Sequence, residues 1–263
     1  MARVMGAGHS AMDRDRTGQP MPGLLNLDIV RLTLRAAMSR RRALLFALPA
    51  IILIGISALL TAKAHSHLWP PEILGTVGYL ILALTALIVG GSVLGADIDD
   101  GSILHLLATP VKLRTVVLSK YLVAVVLTIV FAAVPEYVAG AIATGASSRL
   151  AVGLFVGALA GSVVYNALFV MLTAVFSPGQ ALAIGLFYVL LWEGLLASLV
   201  PGVSLLSAGH YSLAVANSIA HNGALHAYLN LGTGIGMGLV VTVGSLAFAS
   251  VTLSAFNVAG DVS

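Results

Sequence analysis

The strongest constraint on this chain is where its charges are missing. Six apolar runs lie near residues 43–62, 73–96, 115–144, 150–176, 181–200 and 227–256, and only Lys120, Glu136 and Glu193 interrupt them with charge. Each run is long enough to cross a bilayer as a helix, which takes about 20 residues. Only 9% of the 263 residues are charged and 59% are apolar, whereas a soluble domain carries about 25% charged residues. No single core hides that much apolar surface, so lipid must be the solvent. Backbone groups in lipid must be satisfied within the fold, and alternating barrel strands of about ten residues are absent, so the runs are read as helices.

The positive residues orient the spans. Eight arginines precede the first span, among them Arg40, Arg41 and Arg42, and the polar insert after span two adds Lys112, Arg114 and Lys120. With both termini cytoplasmic, only Lys63 and Arg149 of the thirteen Lys and Arg residues lie outside. The expectation is a multi-pass protein of the bacterial inner (plasma) membrane, N-in and C-in. The basic balance then reflects topology and an anionic leaflet, with no nucleic-acid partner. No cleavable signal peptide is expected, because the first apolar run starts only at residue 43. The absence of cysteine excludes disulfides, thiol catalysis and cysteine–metal sites.

Residues 1–22 are rich in Gly, Asp, Arg and Pro and are expected to be a disordered cytoplasmic arm. The remainder, 23–263, is expected to form a single transmembrane domain. Over 23–42, Leu27, Val30, Leu34 and Met38 share one helical face and Asp28, Arg31 and Arg35 another, the pattern of an interfacial amphipathic helix. Pro49 predicts a kink in span one, and Trp69 an interface anchor in the loop 65–72. Gly153, Gly157 and Gly161 form a stripe on span four that lets another backbone approach closely. The segment 201–226 is too short and interrupted to span, yet too apolar for a solvent loop, and predicts short helices dipping into the outer leaflet.

Few residues suggest chemistry. Gly-Lys occurs nowhere, so the chain lacks a P-loop and any ATPase must be another polypeptide. Asp97, Asp99 and Asp100 could hold Mg²⁺ and a diphosphate, but a second acidic cluster is missing; alternatively Asp99 and Asp100 sit before a helix N-terminus, where negative charge is favourable. Glu193 is the one acid well inside a span and must face the bundle interior or a wet cavity, as a substrate contact, an anchor for the outer loop or a proton carrier. Glu136 falls nearer the outer boundary of span three. His65, His67, His210, His221 and His226 are read as surface residues rather than as metal ligands, and no serine–histidine pairing stands out.

The insert between spans two and three is the most distinctive stretch. It reads Asp99-Asp100-Gly101-Ser102-Ile103-Leu104, then Leu106-Leu107-Ala108-Thr109-Pro110-Val111, then Lys112, Arg114 and Ser119-Lys120. Ile103, Leu104, Leu106 and Leu107 make a compact apolar knob, and Asp99, Asp100, Lys112 and Arg114 a polar rim, which suits a reversible protein contact. Pro110, with Thr109 as a cap, presets the start of the next helix.

This pattern, with six spans and an apolar external segment between spans five and six, resembles the ABC type-2 permeases. The resemblance covers roughly residues 24–256. It implies an all-α polytopic fold with an N-terminal amphipathic helix and a cytoplasmic coupling helix. That helix would be formed by Asp99, Asp100, Gly101, Ile103, Leu104, Leu106, Leu107, Pro110, Lys112 and Arg114. By the same resemblance the chain is no enzyme. It is a transport subunit that pairs with a second copy or paralogue and binds two ABC ATPase subunits, which carry the ATP and Mg²⁺. No cofactor is expected in the chain itself. The pathway would lie between protomers, with Thr85, Ser92, Phe187, Tyr188, Trp192 and Glu193 as candidate lining residues, suited to a hydrophobic, amphipathic or lipid-like cargo. Here the acid-x-x-x-Gly entry of the motif is compressed to Asp99-Asp100-Gly101, and there is no large external domain. Two rival functions rest on other residues: an ion-coupled secondary transporter on Glu193, and a metal-dependent membrane prenyl or phosphatidyl transferase on Asp97–Asp100.

Overall fold

The structure is a computed structural model that describes residues 30–34, 40–63, 71–99, 113–144, 148–221, 225 and 227–260. Among these residues every regular element is helical, and six helical stretches are long and apolar enough to cross a membrane. Span one is α1 (Arg40–Lys63), which runs through Pro49, and span two is α2 (Pro71–Asp99). Span three is α3 (Leu113–Thr128), a π-helical turn (Ile129–Ala133) and α4 (Val134–Thr144). Span four is α5 (Arg149–Val175). Span five is α6 (Pro178–Phe187), a π-helical stretch (Tyr188–Leu196) and the short α7 (Ala197–Leu199). A 3₁₀ turn (Pro201–Leu206) and α8 (Ala208–Ala220) precede span six, α9 (Leu231–Gly260). A further helical piece covers 30–34, and the rest of the expected amphipathic helix lies outside the described residues.

The breaks in regularity have local causes. Pro135 has no N–H and its ring crowds the carbonyl four residues back, at Phe131; the wider π turn ending at Ala133 absorbs both defects. Ser148 starts α5 by accepting a hydrogen bond from Ala151 N at 3.1 Å. Asn230 does the same for α9, accepting from Thr233 N at 2.8 Å. That cap explains why span six begins at Leu231, four residues later than its apolar run.

Spans two, three and four form the middle of the bundle. In each, 61% of the span is buried, against 22% for spans one and five and 28% for span six. The outer spans present side chains such as Ile51, Leu190 and Val240 outwards, as a lipid-facing surface should. Helices in lipid gain little from apolar burial, so small-residue packing and polar ties hold them together. Ser57 Oγ donates to Ala139 O at 2.8 Å, joining span one to span three. Asn166 Nδ2 donates to Thr128 Oγ1 at 2.9 Å, joining span four to the start of the π turn. Lys120 is buried and its Nζ donates to Val93 O at 3.0 Å, joining α3 to α2.

The apolar segment after span five folds back into this bundle. Helix α8 runs antiparallel to α5 and lies along the glycine stripe. A Cβ on Gly153 would stand 2.6 Å from Ala216 O, one on Gly157 2.7 Å from Ser212 O, and one on Gly161 3.2 Å from Ser212 Cβ. Ser212 Oγ donates to Gly157 O at 2.8 Å across the same contact. The helix ends on His221, whose left-handed backbone (φ 47°) stops it while its N–H bonds Asn217 O.

Candidate functional site

The buried end of α8 and the π-helical stretch of span five meet around one carboxylate. Glu193 is fully buried. Its Oε1 accepts from Tyr188 Oη at 2.6 Å and from Gly209 N at 3.3 Å, and its Oε2 accepts from the Ser207 hydroxyl. Ala208 N donates in turn to Tyr188 Oη at 3.4 Å. The first N–H groups of a helix have no partner within it, and the helix dipole makes that end positive. The Glu193 carboxylate answers both needs, and so fastens α8 to span five.

The π-helical geometry makes this possible. Successive residues of an α-helix turn by about 100°, so residues five apart would point about 140° from each other. The i→i+5 bonding of the π stretch widens the turn and brings Tyr188 and Glu193 round to the same side. Gly209 is required by proximity, because a Cβ there would stand 2.8 Å from the Tyr79 ring, 2.9 Å from Glu193 Oε2 and 3.0 Å from Tyr165 Oη.

A second layer of polar contacts surrounds the carboxylate. Ser207 caps α8, accepting from His210 N at 3.2 Å, and its Oγ lies 2.8 Å from His210 Nδ1. Tyr79 Oη reaches Glu193 O at 3.5 Å. Trp192 Nε1 donates to Leu206 O at 3.2 Å and Tyr211 Oη to Leu205 O at 2.5 Å, tying the 3₁₀ turn to both of its neighbours. The His210 ring rests against Tyr228, centroids 5.4 Å apart. Burial pushes His210 down to about 4 and raises Tyr211, with the Glu193 charge as a lesser cause of the latter.

No protein-family model matches this chain, and no curated protein matches it in sequence. The assignment of roles therefore rests on the residues themselves.

The structure gathers Tyr188, Trp192 and Glu193 into one group, but the other candidate pathway residues lie apart from it. Thr85 is fully buried and its hydroxyl turns back to Ile81 O at 2.8 Å. Ser92 is partly buried and bonds Val89 O at 2.9 Å. Phe187 is 62% exposed on the outside of the bundle. Arg114 is exposed at the first turn of α3. Asp99 is the last residue of α2. Asp100, Gly101, Ile103, Leu104, Leu106, Leu107, Pro110 and Lys112 lie outside the described residues, as do His65, His67, Trp69 and His226. Among the described residues no cluster of three His, Cys, Asp or Glu side chains could hold a metal ion.

His210, read from the sequence as a surface residue, is buried, and it makes with Ser207 the serine–histidine contact that the sequence did not bring out. Part of the signal was available: a serine ahead of an apolar stretch is a helix N-cap, and its hydroxyl accepts from the N–H at N3, here His210. Glu136 also proves buried, its Oε1 only 2.5 Å from where a Gly78 Cβ would be and its Oε2 without a hydrogen-bond partner.

Proposed function

We propose that this chain is the transmembrane subunit of an ATP-driven ABC-type exporter, powered by a separate ATPase. The observation that carries the reading is the stretch joining spans two and three in a six-span chain without a P-loop. It has acids at the end of α2, an apolar knob at Ile103–Leu107, Thr109-Pro110 and a basic exit into α3. An apolar knob with a charged rim suits a contact that forms and releases with each cycle. Pro110, close before α3, and Lys120, buried between α3 and α2, would pass a push on the knob stiffly into spans two and three. ATP-dependent pairing of the ATPases would then bias a two-state bundle.

In this reading the knob faces the cytoplasm in the plasma membrane of a bacterium. A second copy or a paralogue lies against the sparsely buried outer spans. The cargo is hydrophobic, amphipathic or lipid-like, in keeping with the exposed Phe187 and the Tyr188–Trp192 neighbourhood at the edge of span five. Thr85, enclosed within its own bundle, is left out of this pathway.

The test is purification of the intact assembly from native membranes. A soluble ATPase bearing a P-loop, identified by mass spectrometry, should accompany the chain and be lost with Leu106→Asp plus Leu107→Asp. Full retention of that ATPase by the double variant would refute the reading.

A further inference from the structure

We propose that His210, Ser207 and Glu193 form a proton relay that loads a proton onto the buried Glu193 carboxyl from the side of Tyr228. This inference does not depend on how the 99–112 stretch is read.

Proton accounting carries it. Ser207 has a single hydroxyl proton, and it is donated to Glu193 Oε2. The 2.8 Å contact between Ser207 Oγ and His210 Nδ1 then has to be donated by the ring, so His210 is the Nδ1–H tautomer while the carboxylate is ionised. The same three groups fit equally well with one more proton. Glu193 then carries it on Oε2 and donates to Ser207 Oγ, Ser207 donates its own proton to a bare Nδ1, and His210 holds its proton on Nε2.

The two states interconvert by proton hops alone. A proton arriving at Nε2 displaces the one on Nδ1 to Ser207 Oγ, and the Ser207 proton passes to Glu193 Oε2. One N–H forms at Nε2 and one breaks at Nδ1. One O–H of Ser207 is exchanged and one forms on Glu193. The group goes from one negative charge to none. No heavy atom has to move, because every donor–acceptor pair is already in place.

The surroundings agree. The groups facing Glu193 are Tyr79 from α2, Tyr165 from α5, Tyr188 from its own stretch, Tyr211 from α8, two backbone amides and, through Ser207, the imidazole. Hydroxyls and amides stabilise the carboxylate without supplying a counter-ion. Burial, which holds His210 to about 4, keeps the imidazole neutral and makes it a conduit rather than a store. Tyr228, whose ring packs on the His210 ring, is 50% exposed, so the imidazole lies one ring from the surface. Loading the proton removes the negative charge that complements the positive end of α8, which links proton occupancy to the fastening of α8 on span five.

The experiment uses the full chain in lipid nanodiscs carrying Glu136→Gln, so that Glu193 is the remaining acid among the buried side chains described. Infrared difference spectra after an acid pH jump should show, at higher frequency than the carbonyl bands of the solvent-exposed acids, the separate carbonyl band of a buried protonated carboxylic acid. The band should be absent in Glu193→Gln. His210→Phe keeps the ring contact with Tyr228 and the Ser207 cap, and should slow the rise of the band about a hundredfold at unchanged final amplitude. Tryptophan emission reports whether each variant is folded. Should Glu193→Gln fail to fold, Glu193→Asp shifts the band instead of deleting it. An unchanged rate in His210→Phe, a band indifferent to both Glu193 variants, or no band at any pH would overturn the proposal.

Discussion

Gly157→Ala offers the sharpest test of how α8 is held. The added Cβ would stand 2.7 Å from Ser212 O, 2.8 Å from Ala216 Cβ and 3.3 Å from Ala216 N. Two of these three are backbone atoms of α8, which cannot rotate away as a side-chain tip can. The helix must therefore retreat until the contact reaches the roughly 3.4 Å of ordinary van der Waals packing. Overpacking of this kind costs about 1–3 kcal/mol. The retreat also stretches the Ser212–Gly157 hydrogen bond of 2.8 Å, worth about 1 kcal/mol. Against this, Gly→Ala in a helix gains up to about 1 kcal/mol of propensity. The net expectation is a loss of about 1–3 kcal/mol. Gly236→Ala supplies the control, because nothing lies within 4 Å of a Cβ there and only the gain remains. Thermal or SDS unfolding in mild detergent, followed by tryptophan fluorescence, should move the two variants in opposite directions. A Gly157→Ala protein as stable as Gly236→Ala would refute the close packing of α8 on span four.

Three further outcomes follow from the same structure. Glu193→Ala leaves Tyr188 O–H, Ser207 O–H and Gly209 N–H without their buried acceptor, and should cost about 3–5 kcal/mol in the same assay, with Glu193→Gln losing less because one acceptor oxygen remains. His210 titrates near 6.5 when unfolded and about 4 when buried; the unfolded chain therefore binds more protons between those values, so the contribution is full above pH 6.5 and is lost as pH falls through 4, and His210→Gln should flatten the pH dependence of the melting temperature across that window. The cysteine-free chain permits single-cysteine mapping: in intact cells Arg149→Cys should react with an impermeant maleimide and Arg114→Cys should not, and the reverse pattern would invert the proposed topology.

The spans were legible because hydrophobicity in lipid is a long-range, one-dimensional signal. A run such as 150–176 has no other way to be soluble, and α5 (Arg149–Val175) fits it within a residue at each end. The glycine stripe was legible as a packing surface, since residues four apart share a face whatever approaches them. Its partner was not, because Gly157 carries no mark that says Ser212 or Ala216. The polar group around Glu193 was opaque for a related reason. Apolar pattern gives the burial of Glu193, but its partners come from the N-terminus of a helix that folds back, and Tyr188 reaches it only through the π-helical widening. Nothing in the periodicity of 181–200 announces that change of pitch. The proposed role of the 99–114 stretch concerns a partner chain, and the fold of this chain alone does not test it.

The central claim is that a separate motor grips the stretch between α2 and α3. A photo-crosslinking amino acid placed at Leu106 in living cells tests it most directly. The account predicts an ATP-sensitive crosslink to a P-loop ATPase, absent when the probe stands at Phe248 on the outer face of span six. A crosslink from position 106 to lipid alone, or quenching of the probe by a reagent confined outside the cell, would contradict it.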